Sequence, residues 1–371
     1  MNGLGRVLLA AALALAALPP AAAQNRLGEL TYMEEGLAVT RDNRRLKAAE
    51  IDIGMEMHNL DLLKTDKTGF AEIAVDAPNA PQAVIKVSPN TTFYLELNSM
   101  GKDKKTTVGA ITGTISLKVQ KLSANQQMSV ASESALMGVR GTTFEVTLTP
   151  AGDLLVTCSE GEVLCEDAGG NKASAEPGSV VEQKAGELFR KVPVAVSDLE
   201  SFRRDWYAER IEVFKANPLK AIRFYALRYG ELKERFNKAY AALQKESRLI
   251  QKWYDEDRRG KIGSKMEVLK EKKQLIGHLL ALRKILFLFE RIYFRLAELE
   301  DYYREGYGEG TIQGGLTSRA FFQSFERDRD DLELKMADIR YLTKLYAKRN
   351  EGGFPTEEAE EGESGFFEDM E

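Results

Sequence analysis

The chain has 371 residues, 43% hydrophobic and 29% charged, enough for about two domains of roughly 150 residues each with an ordinary core-forming composition. A formal net charge of −5 supplies no basic excess, which argues against nucleic acid as a partner. Two cysteines and two histidines are too few for a disulfide framework or for most histidine-based metal sites.

The first residues read as a processing signal. Arg6 and the free amine are positive, Val7 to Leu18 is an unbroken apolar run, and Pro19-Pro20 ends it. Ala21-x-Ala23 then offers a small-residue cleavage site before Gln24, so residues 1–23 are expected to be a signal peptide. The run is too short to span a bilayer. The expectation is an exported protein, periplasmic or otherwise extracytoplasmic, with no transmembrane span after cleavage.

Residues 24–193 are expected to be β-rich. Val39 to Leu46 reads as two short strands around an Asp-Asn turn. Ala71, Ile73 and Val75 alternate with Glu72 and Ala74, and Val84 to Val87 is a strand punctuated by Ser88-Pro89-Asn90. Thr91 to Leu97 alternates, as does Ile115 to Val119. Many short strands at near-even spacing, with no helical pattern between them, predict an all-β unit: a sandwich, open barrel or solenoid-like roll.

The organising stretch is Ser134 to Leu148. It reads as an apolar lead-in, a turn with Gly138 and Gly141 around Arg140, and a strand with Phe144, Val146 and Leu148 on one face. Glycines at both ends of Val139-Arg140 predict a bend where torsion or close approach excludes a side chain. Arg140 has two readings. The favoured one is structural, with its guanidinium on strand-end carbonyls or on Glu145 or Glu160. The other is a contact with a partner.

Several blocks occur in a fixed order: Asp61-x-Leu63-Lys64-Thr65, Gly69-x-Ala71-Glu72-Ile73, Ser88-Pro89-Asn90-Thr91 and Gly113-x-Ile115-x-Leu117. Gly138-Val-Arg-Gly-Thr-x-Phe144 and Leu155-Val-x-Cys-x-Glu160-Gly161-x-Val163 follow. In that order they resemble the FecR domain over about Leu30 to Gln183. The motif residues are Gly138, Arg140, Gly141, Thr142, Phe144, Glu160 and Gly161. The resemblance implies an extracytoplasmic sensing or interaction module, not an enzyme. In the transducers that named the family, an anti-sigma segment and a membrane helix precede this domain, whereas here long helices follow it.

Cys158 and Cys165 fall in an expected hairpin, Leu154 to Glu166. A turn at Gly161-Glu162 would set the two opposite each other within disulfide reach; a turn at Glu160-Gly161 would leave them diagonal. The alternative is two buried thiols acting as small apolar residues.

Residues 197–349 are expected to be helical. Ser197-Asp-Leu-Glu200 is a capping box opening a helix to about Lys215. Asn217 and Pro218 open a second, expected to run to Gly260. Ser264-x-x-Glu267 caps a third, Gly306 to Thr317 is a glycine-rich loop, and Ser318 to about Lys348 is a fourth. The two long helices should be antiparallel neighbours forming a bundle or coiled-coil-like hairpin, with a third element in their groove. The aromatic stripe is expected to be bundle core, and His278 a packed edge residue. Residues 350–371 read as an acidic, disordered tail; a merely solvated tail is the favoured reading, and a docking peptide carrying Phe354, Phe366 and Phe367 is the other.

The whole is therefore an α+β chain of segregated domains. No catalytic residue, cofactor site or metal site is read from it. The expected function is a non-catalytic envelope binding or scaffold protein whose FecR-like module recognises a protein or cell-wall partner. The alternative is an extracytoplasmic sensor acting on a membrane regulator or an anti-sigma system.

Overall fold

A computed structural model describes residues 26–98, 104–124, 126–350 and 352–355. The signal-peptide reading of residues 1–23 and most of the acidic tail lie outside the described residues.

The first nine strands are β1 (Arg26–Met33), β2 (Leu37–Arg41), β3 (Arg44–Arg45), β4 (Glu56–His58), β5 (Leu62–Thr65), β6 (Ala71–Val75), β7 (Ala83–Val87), β8 (Thr92–Asn98) and β9 (Lys104–Val119). They are followed by β10 (Gln126–Ala131), β11 (Ala135–Val139), β12 (Thr143–Leu148), β13 (Leu154–Glu160), β14 (Val163–Asp167), β15 (Lys172–Ala175), β16 (Ser179–Gln183) and β17 (Arg190–Pro193).

They form two sheets. One runs β4–β1–β6–β7–β9–β12–β13–β16–β17. The other runs β3–β2–β5–β8–β9–β10–β11–β14–β15, antiparallel except where β9 meets β10. β9 belongs to both. Its ladder to β8 ends at Thr112 and its ladder to β12 begins at Gly113, where φ is +79° and the strand bends from one sheet into the other. The inward faces supply one apolar core, including Leu30, Ile73, Ile85, Phe93, Val108, Leu117, Val130, Met137, Val146 and Val156. The sandwich expected from the alternation is present, with the turn Asp42-Asn43 joining β2 and β3 and Asp42 at φ +54°.

The cysteine hairpin is not. β13 pairs with β12 and β16, while β14 pairs with β11 and β15, so the chain changes sheet between them instead of folding back in one ladder. Cys158 and Cys165 therefore stand on strands of different sheets, as free buried thiols.

The helical part comprises α1 (Leu199–Ala216), α2 (Pro218–Leu243), α3 (Ser247–Arg258), α4 (Lys265–Arg304) and α5 (Ser318–Arg349). A 3₁₀ turn, Val196–Asp198, displaces the start of α1, and Ser197 bonds Asp198 instead of closing the expected capping box. The box at Ser264 and Glu267 does form. The second long helix is broken by a 3₁₀ turn at Gln244–Glu246, beyond which Ile250 and Trp253 enter the core. Trp253 donates to Glu271 at 2.9 Å and carries the Arg349 guanidinium on its face at 4.5 Å. The glycine-rich loop contains a small hairpin, β18 (Thr311–Gln313) and β19 (Leu316–Thr317).

α2, α4 and α5 share a core in which Phe236 stacks on Phe289 at 4.4 Å. The sandwich contributes to that core, because Leu62, Tyr94 and Ile111 project into it from β5, β8 and β9. The aromatic stripe is thus core, as expected, and the β-rich and helical parts follow one another along the chain as expected, each with its own core. One part of the expected tail also differs. Phe354 is 2% exposed, its ring sits 5.2 Å from that of Tyr346, and its carbonyl accepts from Asn98 at 2.9 Å. An aromatic side chain that finds a pocket gains more from burial than the surrounding polar residues lose by ordering. None of the described helices is long and apolar enough to cross a membrane.

Candidate functional site

The motif residues converge on two stacked corners. The chain leaves the second sheet at Val139 and joins the first at Thr143; it leaves the first at Glu160 and rejoins the second at Val163. Gly141 makes the first corner at φ +64° and Gly161 the second at +82°. A Cβ on Gly161 would lie 2.6 Å from Thr142 Cγ2 and 2.8 Å from the Gly141 carbonyl oxygen, so each corner is the packing surface of the other. Thr142 is 1% exposed and its carbonyl accepts from the Val119 amide at 2.8 Å, which ties the pair to β9. The Thr143 hydroxyl donates to Glu160 at 2.9 Å and that of Ser159 to the Thr143 carbonyl at 3.2 Å. Phe144 is buried opposite Cys158.

Arg140 overturns its favoured reading. Its side chain is exposed and makes no hydrogen bond or ion pair with the described residues. Its supposed partners are engaged elsewhere, Glu145 with Arg203 of α1 at 2.6 Å and with Ser116, and Glu160 with Thr143. Gly138 is also not where the sequence suggested. It lies inside β11 in extended conformation, opposite Leu164, and a Cβ there would meet nothing nearer than the Leu164 carbonyl at 3.9 Å.

These positions define a surface. Ala135, Met137 and Val139 point into the core, so Leu136, Gly138 and Arg140 line the outer face of β11. Cys165 and Val163 point inward in the same way and leave Leu164 outward on β14. Leu136 is 36% and Leu164 44% exposed, with Glu160, Glu162 and Glu166 around them. Neither leucine was named as a site residue from sequence. The signal that would have found them is the alternation itself, since inward Met137 and Cys165 force their neighbours out.

The helices explain why this face is open. They cover the other part of the same sheet, where Arg291 donates to the Ala131 carbonyl at 3.0 Å and lies on the Phe287 ring at 3.6 Å. Arg295 reaches the Ile111 carbonyl at 3.4 Å and Glu298 at 2.8 Å, Arg283 pairs with Glu96 at 2.6 Å, and Lys344 pairs with Asp42 at 2.7 Å. α1 seats on the first sheet, with Trp206 donating to Glu182 at 2.7 Å beside Leu155 and Val180. β11 and β14 lie beyond that cover.

The remaining candidates are less organised. Among the described residues no group of three His, Cys, Asp or Glu is placed to hold a metal ion. His58 is held below its ordinary value by burial and by Arg41 and Lys344. A shallow cleft at the β9 bend is lined by Asn90, Thr114, Glu200, Arg203 and Tyr207, and burial pushes the Tyr207 hydroxyl up to about 12. Burial likewise pushes the Cys158 thiol up to about 11 and that of Cys165 to about 12 from 9.0. A raised pKa in the fold favours the neutral thiol, so this contribution to stability is complete below about pH 9 and is lost as pH rises through the folded values. The thiolate is the reactive form. We expect no reaction of the native chain with an aromatic disulfide reagent at pH 8 and release of two equivalents after denaturation; rapid native reaction would contradict the burial.

Residues 61–164 match the family model described as FecR protein. Within the β half, residues 61–164 are similar to a FecR domain. The matched segment ends at Leu164, so both stacked corners and the face between them fall within it, and the match supports a role related to signalling at the cell envelope. FecR proteins are regulatory and not enzymatic. No curated protein matches the chain. Two crystal structures of a candidate anti-sigma factor from Parabacteroides distasonis ATCC 8503, at 1.65 and 2.50 Å resolution, are similar at 11% identity with a TM-score of 0.32. The similarity covers 38% of this chain, and the chain spans 63% of the length of theirs. At that score the likeness carries no weight for function.

Proposed function

We propose that the protein is an exported, non-catalytic envelope module that docks a protein partner through the open face of its FecR domain. The observation that supports this reading is Arg140: exposed, without a partner among the described residues, and placed at a fixed bend on the same face as Leu136 and Leu164. An arginine whose backbone is fixed by the corner, standing next to exposed apolar side chains, has the composition of an interface anchor, with its own side-chain ordering as the cost of binding. Glu166 lies across from Leu136 on the same face, which favours a partner that brings both signs of charge. The helical part fastens the opposite region of the same sheet and acts as a rigid spacer.

Arg140→Ala tests the reading. As an exposed side chain without a partner among the described residues it is expected to change stability by less than about 0.5 kcal/mol. Retention of envelope proteins on the immobilised full chain should fall at least tenfold, and Arg140→Lys should fall similarly if the planar fork is what the partner reads. A variant that melts early and loses its partner only in proportion would return Arg140 to a structural role. Unchanged retention at an unchanged midpoint would place the docking face elsewhere.

A further inference from the structure

The far end of the α3–α4 hairpin carries a surface unlike the rest of this acidic chain. Residues 258–273 hold seven basic side chains and two acidic ones. Glu271 is paired with Lys252, and Glu267 is engaged in capping Ser264, so neither neutralises the surface. Lys261, Lys265, Lys270 and Lys273 are exposed and make no salt bridge among the described residues. Three large apolar side chains stand among them: Ile262 at 43%, Met266 at 71% and Leu269 at 52% exposed. At 100° per residue Met266, Leu269, Lys270 and Lys273 share one face of α4, away from the buried Val268, Glu271 and Leu275. Exposed methionine and leucine within a cationic ring make a receptor for an acidic segment with large hydrophobic side chains.

We propose that the occupant is this chain's own C-terminal segment, residues 356–371. The segment has eight carboxylates, no basic residue, and the pair Phe366-Phe367. Charge complementarity and the paired apolar groups match the hairpin end on both counts. Its starting point also fits. The chain is fastened at Phe354, whose ring lies 5.0 Å from the Arg283 guanidinium on the same helix. Arg283 is ten residues along α4 from Lys273, about 15 Å at the helical rise. The twelve residues from Phe354 to Phe366 reach up to about 40 Å when extended, against about 25 Å along the helix from Arg283 to Met266, so Phe366 and Phe367 have ample chain to lie on Met266 and Leu269. Tethering at Phe354 makes the encounter intramolecular, which raises the local concentration of the segment into the range where weak charge pairs and two aromatic contacts suffice.

Zero-length carbodiimide coupling of the full chain at low concentration tests the proposal, because it joins only lysines and carboxylates already in contact. Peptide mapping of the monomer is expected to show Lys265, Lys270 or Lys273 joined to glutamates among residues 357–371. The yield should drop severalfold in about 0.5 M salt, where the Debye length is only a few ångströms. Replacing Phe366 and Phe367 by serine should lower it further without altering the melt. Links spread evenly over other exposed lysines, such as Lys118, Lys220 and Lys238, would overturn the proposal. So would links found only between differently labelled copies. Equal binding of the full chain and of a chain ending at Pro355 to phosphatidylglycerol vesicles, with no such links, would assign the hairpin end to a lipid surface and overturn it as well.

Discussion

Gly161→Val lowers the thermal midpoint of the full chain by on the order of 10 °C. Two costs combine. A β-branched residue at φ +82° is held in a region that costs about 1–3 kcal/mol. Its Cβ would also stand 2.6 Å from Thr142 Cγ2 and 2.8 Å from the Gly141 carbonyl, and the second of these is backbone with no rotamer to yield. Together they amount to roughly 3 kcal/mol, and each kcal/mol moves the midpoint of a mid-sized domain by about 2–4 °C. Gly138→Ala is the control, since the glycine lies within a strand and a Cβ there meets only the Leu164 carbonyl at an ordinary contact distance of 3.9 Å; it should melt like the wild type. Equal loss at both positions would mean that the motif glycines act through strand pairing and not through the stacked corners.

The second large effect lies where helices meet sandwich. Arg340 of α5 and Glu290 of α4 form a contact ion pair, 6% and 2% exposed, close to Tyr94 of β8. Burial pushes the guanidinium down to about 10, so it is still charged at neutral pH and needs the carboxylate beside it. Arg340→Met leaves Glu290 buried without a cation, and such losses cost about 3–5 kcal/mol. The double variant Arg340→Met with Glu290→Leu removes both desolvated charges and should recover most of that loss. Urea unfolding of the two single variants and the double variant measures the coupling. Additive losses would show that the pair does not act as a unit.

Much of the fold was legible because it rests on periodicity and local stops. The alternation of Ala71 to Val75 and of Thr143 to Leu148, and the capping box at Ser264, are properties of a few adjacent residues. What was not legible depends on which sheet a strand joins. Cys158 and Cys165 looked like a hairpin pair because Gly161-Glu162 is a good two-residue turn, and nothing local shows that the strands diverge to opposite sheets. The structural reading of Arg140 failed for a related reason. Glu145 and Glu160 are near it in sequence, but Arg203, 58 positions from Glu145, takes the first and Thr143 the second. The corner glycines were read correctly at Gly141, where positive φ is a demand of the backbone. Gly138 was misread because a glycine in an exposed strand gives the same sequence signal as one in a turn. The seating of Leu62, Tyr94 and Ile111 in the helical core left no mark on either half considered alone.

The central structural claim is that the helices pack firmly on the sandwich, with Leu62, Tyr94 and Ile111 seated in the helical core, and leave β11 and β14 as the free face. Native-state hydrogen exchange of the full chain tests it most directly. If the claim holds, amides of α4 between Leu275 and Leu299 and of β8 and β9 open with free energies within about 1 kcal/mol of one another, and Arg340→Met lowers all of them together. If the helices open several kcal/mol below the strands, and Arg340→Met affects the helices alone, the two halves are independent and the account is wrong.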